Sequence, residues 1–223
     1  MGLAHKRLEE IRAHSNAFVR SICDNLTFDK YELKLFLLNT IEEGPEDPYV
    51  QVNSKDWDLN LIRQRANPWG KRLQLLFRVK VFVDAFKDWH SATHGKKPEF
   101  IYHYKNLLNY LSSLMLIGQR PSVWWTRQHD IDLIVGTCRF GYANYHAMKN
   151  YEEFGFGELE QTCSYQEFPN ADTITRRLKK LIQLIVRHEQ ANGKFDFDTE
   201  ENDDNELDEF GRNEKKDFFR FLL

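Results

Sequence analysis

Between Thr173 and His188 the chain sorts apolar and basic residues onto opposite sides of a helix. With Ile174 at 0° on a wheel of ~100° per residue, Leu178, Leu181, Ile182 and Ile185 fall within about 100° of arc. Arg176, Lys180, Gln183 and Arg187 lie opposite, at about 180–240°, and Lys179 at about 140° widens that side. Arg177, at about 300°, lies nearer the flank. A segment patterned this way is a helix that seats itself by one side and offers a basic, donor-rich side to solvent. Asn170 or Asp172 suits its N-cap, and the pattern fades near Glu189.

The same periodicity recurs upstream. Leu8, Ile11, Phe18 and Ile22 predict a helix over residues 4–25. Thr27 or Asp29 caps a second, with Leu33, Phe36, Leu37 and Ile41 inward, and Gly44-Pro45-Glu46-Asp47-Pro48 stops it. A short helix over 57–65 and a long one over 71–89 follow. After a loop at His94–Pro98, Pro98 starts a helix reaching about Leu116. Thr126 precedes an apolar stripe of Ile131, Ile134, Val135 and Cys138, and Gly141 stands where a C′ glycine ends a helix. Tyr142, Tyr145 and Met148 mark a short helix. No segment reads as a β-sheet and no repeat is evident. The expected fold class is all-α.

Charge refines this plan. Over 223 residues, 31 Lys+Arg stand against 34 Asp+Glu, a net of −3. Residues 196–223 hold 11 acids and 4 bases, so residues 1–195 keep 27 bases against 23 acids, a body at +4. The expected organisation is an N-terminal helical region over 1–120, a binding module over 121–192 and an acidic tail with an apolar end over 193–223. Asn109, Ser112 and Ser113 interrupt the longest apolar stretch, so no membrane partner is expected. The amphipathic start HKRLEEIRAH argues against a secretory signal. Three cysteines without a CxxC pair suit a reducing compartment.

Arginine and lysine neutralise phosphates, and Arg or Gln also forms paired hydrogen bonds to base edges. Most basic helix faces are solvated surface. Acids normally interleave on such a face as i,i+4 partners, and none occurs between Thr173 and His188.

A family resemblance sharpens the expectation. Trp124-Trp125-Thr126-Arg127-Gln128-His129-Asp130, Leu133-Ile134-Val135-Gly136, and Phe140-Gly141-Tyr142 with Tyr145 resemble the SANT-like module of chromodomain-helicase-DNA-binding chromatin remodellers. Phe168-Pro169 and the run Thr175-Arg176-Arg177-Leu178-Lys179-Lys180-Leu181-Ile182 look like that module's last helix. Trp69-Gly70-Lys71-Arg72-Leu73 and Leu76-Phe77-Arg78-Val79-Lys80 are similar to the segment preceding it. The likeness spans roughly residues 69–187. It implies a homeobox-like three-helix fold in a SANT/SLIDE-type DNA-binding region, with no catalysis of its own. The chain departs from those remodellers in lacking GxxxxGK[ST], so the expectation is a stand-alone subunit serving an enzyme on another chain. Free-standing homeobox-like proteins similar to it accompany DNA-modifying enzymes, including ciliate DNA adenine-methyltransferase assemblies.

Other motifs carry less. His90 and His94 are four apart but have no Glu after His90 and no nearby ligand cluster, so surface histidines are the better reading. Cys138 sits on an apolar stripe, Cys163 has no neighbouring base, and His129-Asp130 are adjacent residues that do not face each other on a helix. One of Trp124 and Trp125 is expected in the core. Lys71, Arg72, Arg78 and Lys80 form a second basic group, read as a solvated side. Asp196, Asp198 and Glu200 begin like a calcium loop, but Glu201 stands where glycine is needed. The acidic run either stays solvated, screens the basic helix or meets a basic partner, and Phe218–Leu223 is apolar enough to dock on this body or a partner.

The expectation is therefore a nuclear, non-enzymatic protein without cofactor, metal or small-molecule substrate. It binds double-stranded DNA through Arg176, Lys179, Lys180, Gln183 and Arg187, with Arg177 touching backbone at most, and associates with other protein subunits. The alternative is a protein-interaction scaffold, in which the basic helix meets acidic protein instead of DNA.

Overall fold

The computed structural model describes residues 7–41, 52, 57–90, 99–102, 104–114, 119–156 and 168–192. His94, Pro98, Cys163, the acidic run and Phe218–Leu223 lie outside the described residues. The chain divides into two compact units within its third helix, one ending at Gln74 and the other starting at Leu75. Sequence patterning put the start of the binding module at 121; the second unit begins well before it.

In the first unit, helix α1 spans Leu8–Asn25 and opens with the Arg7 N–H donating to Glu10 Oε2 at 3.1 Å. A 3₁₀ turn at Phe28–Lys30 leads into α2, Tyr31–Asn39. Thr27 does not cap it; its N–H donates to Asn67 Oδ1 at 3.2 Å, on the next helix. That helix, α3, runs unbroken from Leu59 to Asp84. Two helices, over 57–65 and 71–89, were expected; Pro68 does remove the hydrogen bond to the residue-64 carbonyl, and glycine does weaken a helix. Packing outweighs both. An added Cβ at Gly70 would stand 3.2 Å from Leu26 Cδ2 and Leu33 Cδ2. Beside it, Trp69 lies 5.8 Å from Phe18, ring centre to ring centre, within a core of Phe18, Ile22, Leu33, Leu37, Ile62 and Leu73.

The second unit begins with the rest of α3, whose last turn gives way to strand β1, Lys87–His90. It pairs antiparallel with β2, Glu99–Tyr102, with Trp89 opposite Phe100. A helix had been expected across both segments. The strand-favouring run Phe100-Ile101-Tyr102 prevails locally, and this hairpin qualifies an otherwise helical architecture. His90 ends strand β1, so the four-residue spacing to His94 is not a helical one, in keeping with the metal pair having been set aside. Helix α4 covers Tyr104–Ser113, α5 Arg127–Phe140, α6 Tyr145–Lys149 and α7 Ala171–Asn192.

Helix α5 is the centre of this unit. Thr126 precedes it, and the Thr126 N–H donates to His129 Nδ1 at 3.0 Å. Arg127 reaches back so that its guanidinium donates to the Leu111 carbonyl at 2.9 Å, covering the end of α4. At the far end Gly141 takes φ 87°, a conformation glycine adopts freely, and its N–H donates to the Thr137 carbonyl at 3.0 Å. A single apolar stripe had been expected on α5. Instead His129 through Thr137 are all buried, and Cys138 only partly. Valines and leucines from α3 and α4 surround it on one side and α6 and α7 on others, in one cluster.

A helix buried all round must satisfy every polar side chain internally. Thr137 Oγ1 donates to the Leu133 carbonyl at 2.7 Å. Asp132 accepts from Gln128 Nε2 at 3.0 Å and from the Gly155 N–H at 2.9 Å, tying the loop after α6 to the helix. Burial outweighs these two donors and pushes the Asp132 carboxyl up from 3.8 to about 6. A folded-state value above the unfolded one favours the protonated folded form, so this contribution is lost as pH rises through that interval. Measured against Asp132→Asn in urea titrations, the unsubstituted protein should lose on the order of 2–3 kcal/mol of stability between about pH 4 and 6.5.

Gly136 is where α5 meets α6 most closely: an added Cβ would stand 2.9 Å from both Met148 Cγ and Phe154 Cε2. Alanine improves helix propensity by up to ~1 kcal/mol, but overpacking costs ~1–3 kcal/mol. Gly136→Ala should therefore lower the urea midpoint; an unchanged or higher midpoint would contradict the tight contact.

Candidate nucleic-acid interface

Helix α7 starts where Asn170 Oδ1 accepts the Thr173 N–H at 2.9 Å, so Asn170 serves as the cap and Asp172 stands exposed in the first turn. Its inner side buries Ile174, Leu178, Leu181, Ile182, Ile185 and Val186. This is the apolar stripe read from the sequence. Opposite it, Arg176, Lys179, Lys180 and Arg187 are exposed and Gln183 is half-buried. Arg176 Nη2 donates to Thr173 Oγ1 at 3.3 Å, one turn back. The helix runs one turn beyond the expected end, to Asn192.

Arg177 departs from the expectation. It is buried, not on the flank, and its guanidinium grips Asp130 of α5 in a fork: Nε donates to Oδ1 at 2.8 Å and Nη2 to Oδ2 at 2.6 Å. Trp125 Nε1 donates to the same Oδ1 at 2.7 Å. Burying a guanidinium is tolerated only with such charge-assisted pairing. Arg177 is therefore unavailable to phosphate, and the solvent-facing set is Arg176, Lys179, Lys180, Gln183 and Arg187.

Two further polar contacts fix the rotation of α7. Near its start, the hydroxyls of Tyr145 on α6 and Thr175 lie 2.7 Å apart. Near its end, the Tyr110 hydroxyl of α4 donates to the fully buried Glu189, with His188 Nδ1 3.2 Å from the same hydroxyl. Burial and the Glu189 carboxylate push the Tyr110 hydroxyl well above the usual tyrosine range, so it stays a donor. With contacts at 175, 177 and 189, the helix cannot roll on its stripe without breaking a buried hydrogen bond. Its cationic side is thereby aimed outward.

Sequence patterning missed these positioning residues. Nothing in the patterning pairs Asp130 or Glu189 with a buried partner; the position of Arg177 at about 300°, beside the apolar stripe, is the one signal available. The adjacent His129 and Asp130 indeed do separate work, the first at the start of α5 and the second on Arg177. Trp125 is the core tryptophan, 0% exposed, while Trp124 packs partly buried against it with ring centres 5.5 Å apart. The second basic group is not a fully solvated side: Lys71, Arg72 and Arg78 are half-buried and Lys80 alone is exposed. Lys71 and Arg72 belong to the first unit, and Arg78 and Lys80 to the second, where Lys80 pairs with Asp84 at 2.6 Å.

The Cys23 thiol is buried and pushed up to about 11. No group of three metal-ligating side chains occurs among the described residues, and no described helix is long and apolar enough to cross a membrane. Compared with family models, curated proteins and solved structures, the chain matches none.

Removing one member of the Arg177–Asp130 pair strands the other charge in the core. Asp130→Ala should cost ~3–5 kcal/mol in urea titrations. Adding Arg177→Met should recover a substantial part of that loss, as a double-mutant cycle measures. Purely additive losses would show that the pair is not coupled.

Proposed function

We propose that this chain is a non-catalytic DNA-binding subunit of a nuclear chromatin- or DNA-modifying complex, with a DNA adenine-methyltransferase assembly among the candidates. On this reading α5, α6 and α7 form a homeobox- or SANT-like module, and α7 lies against duplex DNA. The observation that carries it is the exposed side of α7: Arg176, Lys179, Lys180 and Arg187 project there with Gln183, and no acid interleaves. The only carboxylate in the second half of that helix, Glu189, is buried against Tyr110.

Four cations on one helix make few phosphate contacts. Affinity is then modest, strongly salt-dependent and mostly indifferent to sequence, because phosphate contacts position a protein and base contacts specify the site. Arg176 and Lys180 lie one turn apart, and Arg187 two turns further on, a length of helix that suits a groove with phosphates on either side.

Fluorescence anisotropy with a labelled duplex tests this. The logarithm of the binding constant should fall against the logarithm of salt concentration with a slope of about −3 to −4, from roughly 0.9 per neutralised phosphate. The variant Arg176→Glu/Lys180→Glu/Arg187→Glu should keep its circular dichroism and lose binding at least tenfold. Undiminished binding by that folded variant would refute the reading. On the rival scaffold reading, in which the same face meets acidic protein, partners co-purify unchanged after nuclease treatment and the charge-reversed variant loses protein partners rather than DNA.

A further inference from the structure

A different part of the molecule presents apolar side chains to solvent. Phe28 is 100% exposed, Tyr31 60% and Leu35 38%. Their spacing of three and four residues puts them on one side of the 3₁₀ turn and α2. The opposite side of α2 is fixed in the core by Leu33 and Leu37, so these three cannot turn inward.

We propose that residues 218–223 of the same chain, Phe-Phe-Arg-Phe-Leu-Leu, seat on this face of α2. The size of the face selects a tethered occupant. Its three side chains offer about 400 Å² of apolar area, roughly half of the ~800 Å² per partner that a stable association between separate proteins buries. A segment on the same chain meets the face at an effective concentration near the millimolar range, where weak contacts suffice. The 25 residues between Asn192 and Phe218 extend to roughly 80 Å, about twice the ~39 Å length of α3, the helix that links the two units, so the tether is long enough to reach.

Chemistry selects the segment. Three phenylalanines in six residues match an aromatic pair, Phe28 and Tyr31, in the offset or edge-on contacts that aromatic rings favour. Charge separates it from its neighbour in sequence. Around α2 stand Asp24 and Asp29, with side chains 75% and 66% exposed, and exposed Glu32; Lys34 and Lys30 lie against the first two. These five charges sum to −1, so the run 196–209, with nine acids and no base, gains nothing there, whereas residues 210–223 carry four bases against two acids.

The test keeps the full chain and replaces Phe28, which touches no core, by the photo-reactive benzoylphenylalanine. After irradiation and digestion, mass spectrometry should find the probe joined to a peptide containing residues 218–223, in a product of monomer mass. The pair Phe219→Glu/Phe221→Glu should reduce that product at least tenfold while circular dichroism stays unchanged. The same peptide joined in a product of dimer mass would overturn the proposal in favour of a second copy. Attachment elsewhere, or none, would overturn it outright. None of these outcomes depends on whether α7 binds DNA.

Discussion

The second unit hangs on one buried carboxylate. Asp130 accepts two hydrogen bonds from Arg177 and one from Trp125, joining the start of α5 to α7 and to the segment before α5. Its position in the first turn of α5 adds the favourable end of that helix's dipole. A buried ion pair contributes little net stability relative to well-packed apolar residues, but it is costly to break. Its consequence here is register. The apolar stripe of α7 fits its neighbours through a range of small rotations, whereas a forked guanidinium on a fixed carboxylate tolerates only one. The orientation of the cationic face follows from that constraint and from the Tyr145 and Tyr110 contacts that flank it.

Burying α5 on all sides imposes a second constraint of the same kind. Each polar group along it requires a partner, and for the two buried carboxylates partners come from distant segments: Arg177 for Asp130, the Gly155 backbone for Asp132. Polar atoms in the centre of the unit thus specify which loops and helices close over it. The apolar residues supply the driving force, and glycine at 136 sets how near α6 and Phe154 approach.

Much of this was legible in the sequence, and the failures share a cause. Ile174, Leu178, Leu181, Ile182 and Ile185 announce α7 because its two sides differ sharply in hydrophobicity. Thr126 and Gly141 mark the ends of α5 because the chemistry of helix ends is local. Arg177 was misplaced on the flank because a charged residue is recognised as buried only once its partner, Asp130, 47 residues away, is known. The continuity of α3 through Gly70 was hidden for a similar reason: the close approach of Leu26 and Leu33 that favours an unbroken helix is tertiary. The hairpin was hidden because four-residue strands are too short for alternation to stand out from flanking helical periodicity.

The separation of roles on α7 bears on how such a chain can change over time. Positions 176, 179, 180 and 187 are exposed, so substitutions there can alter or abolish surface recognition while the fold persists. Position 177 has no such freedom, though it is one of the same basic run. Two descendants of this chain could share the helix, the buried arginine and the architecture, and yet have surfaces of opposite charge. Among such relatives, retention of the residue 130–177 pair would trace common structure, and only the outer positions would trace common activity.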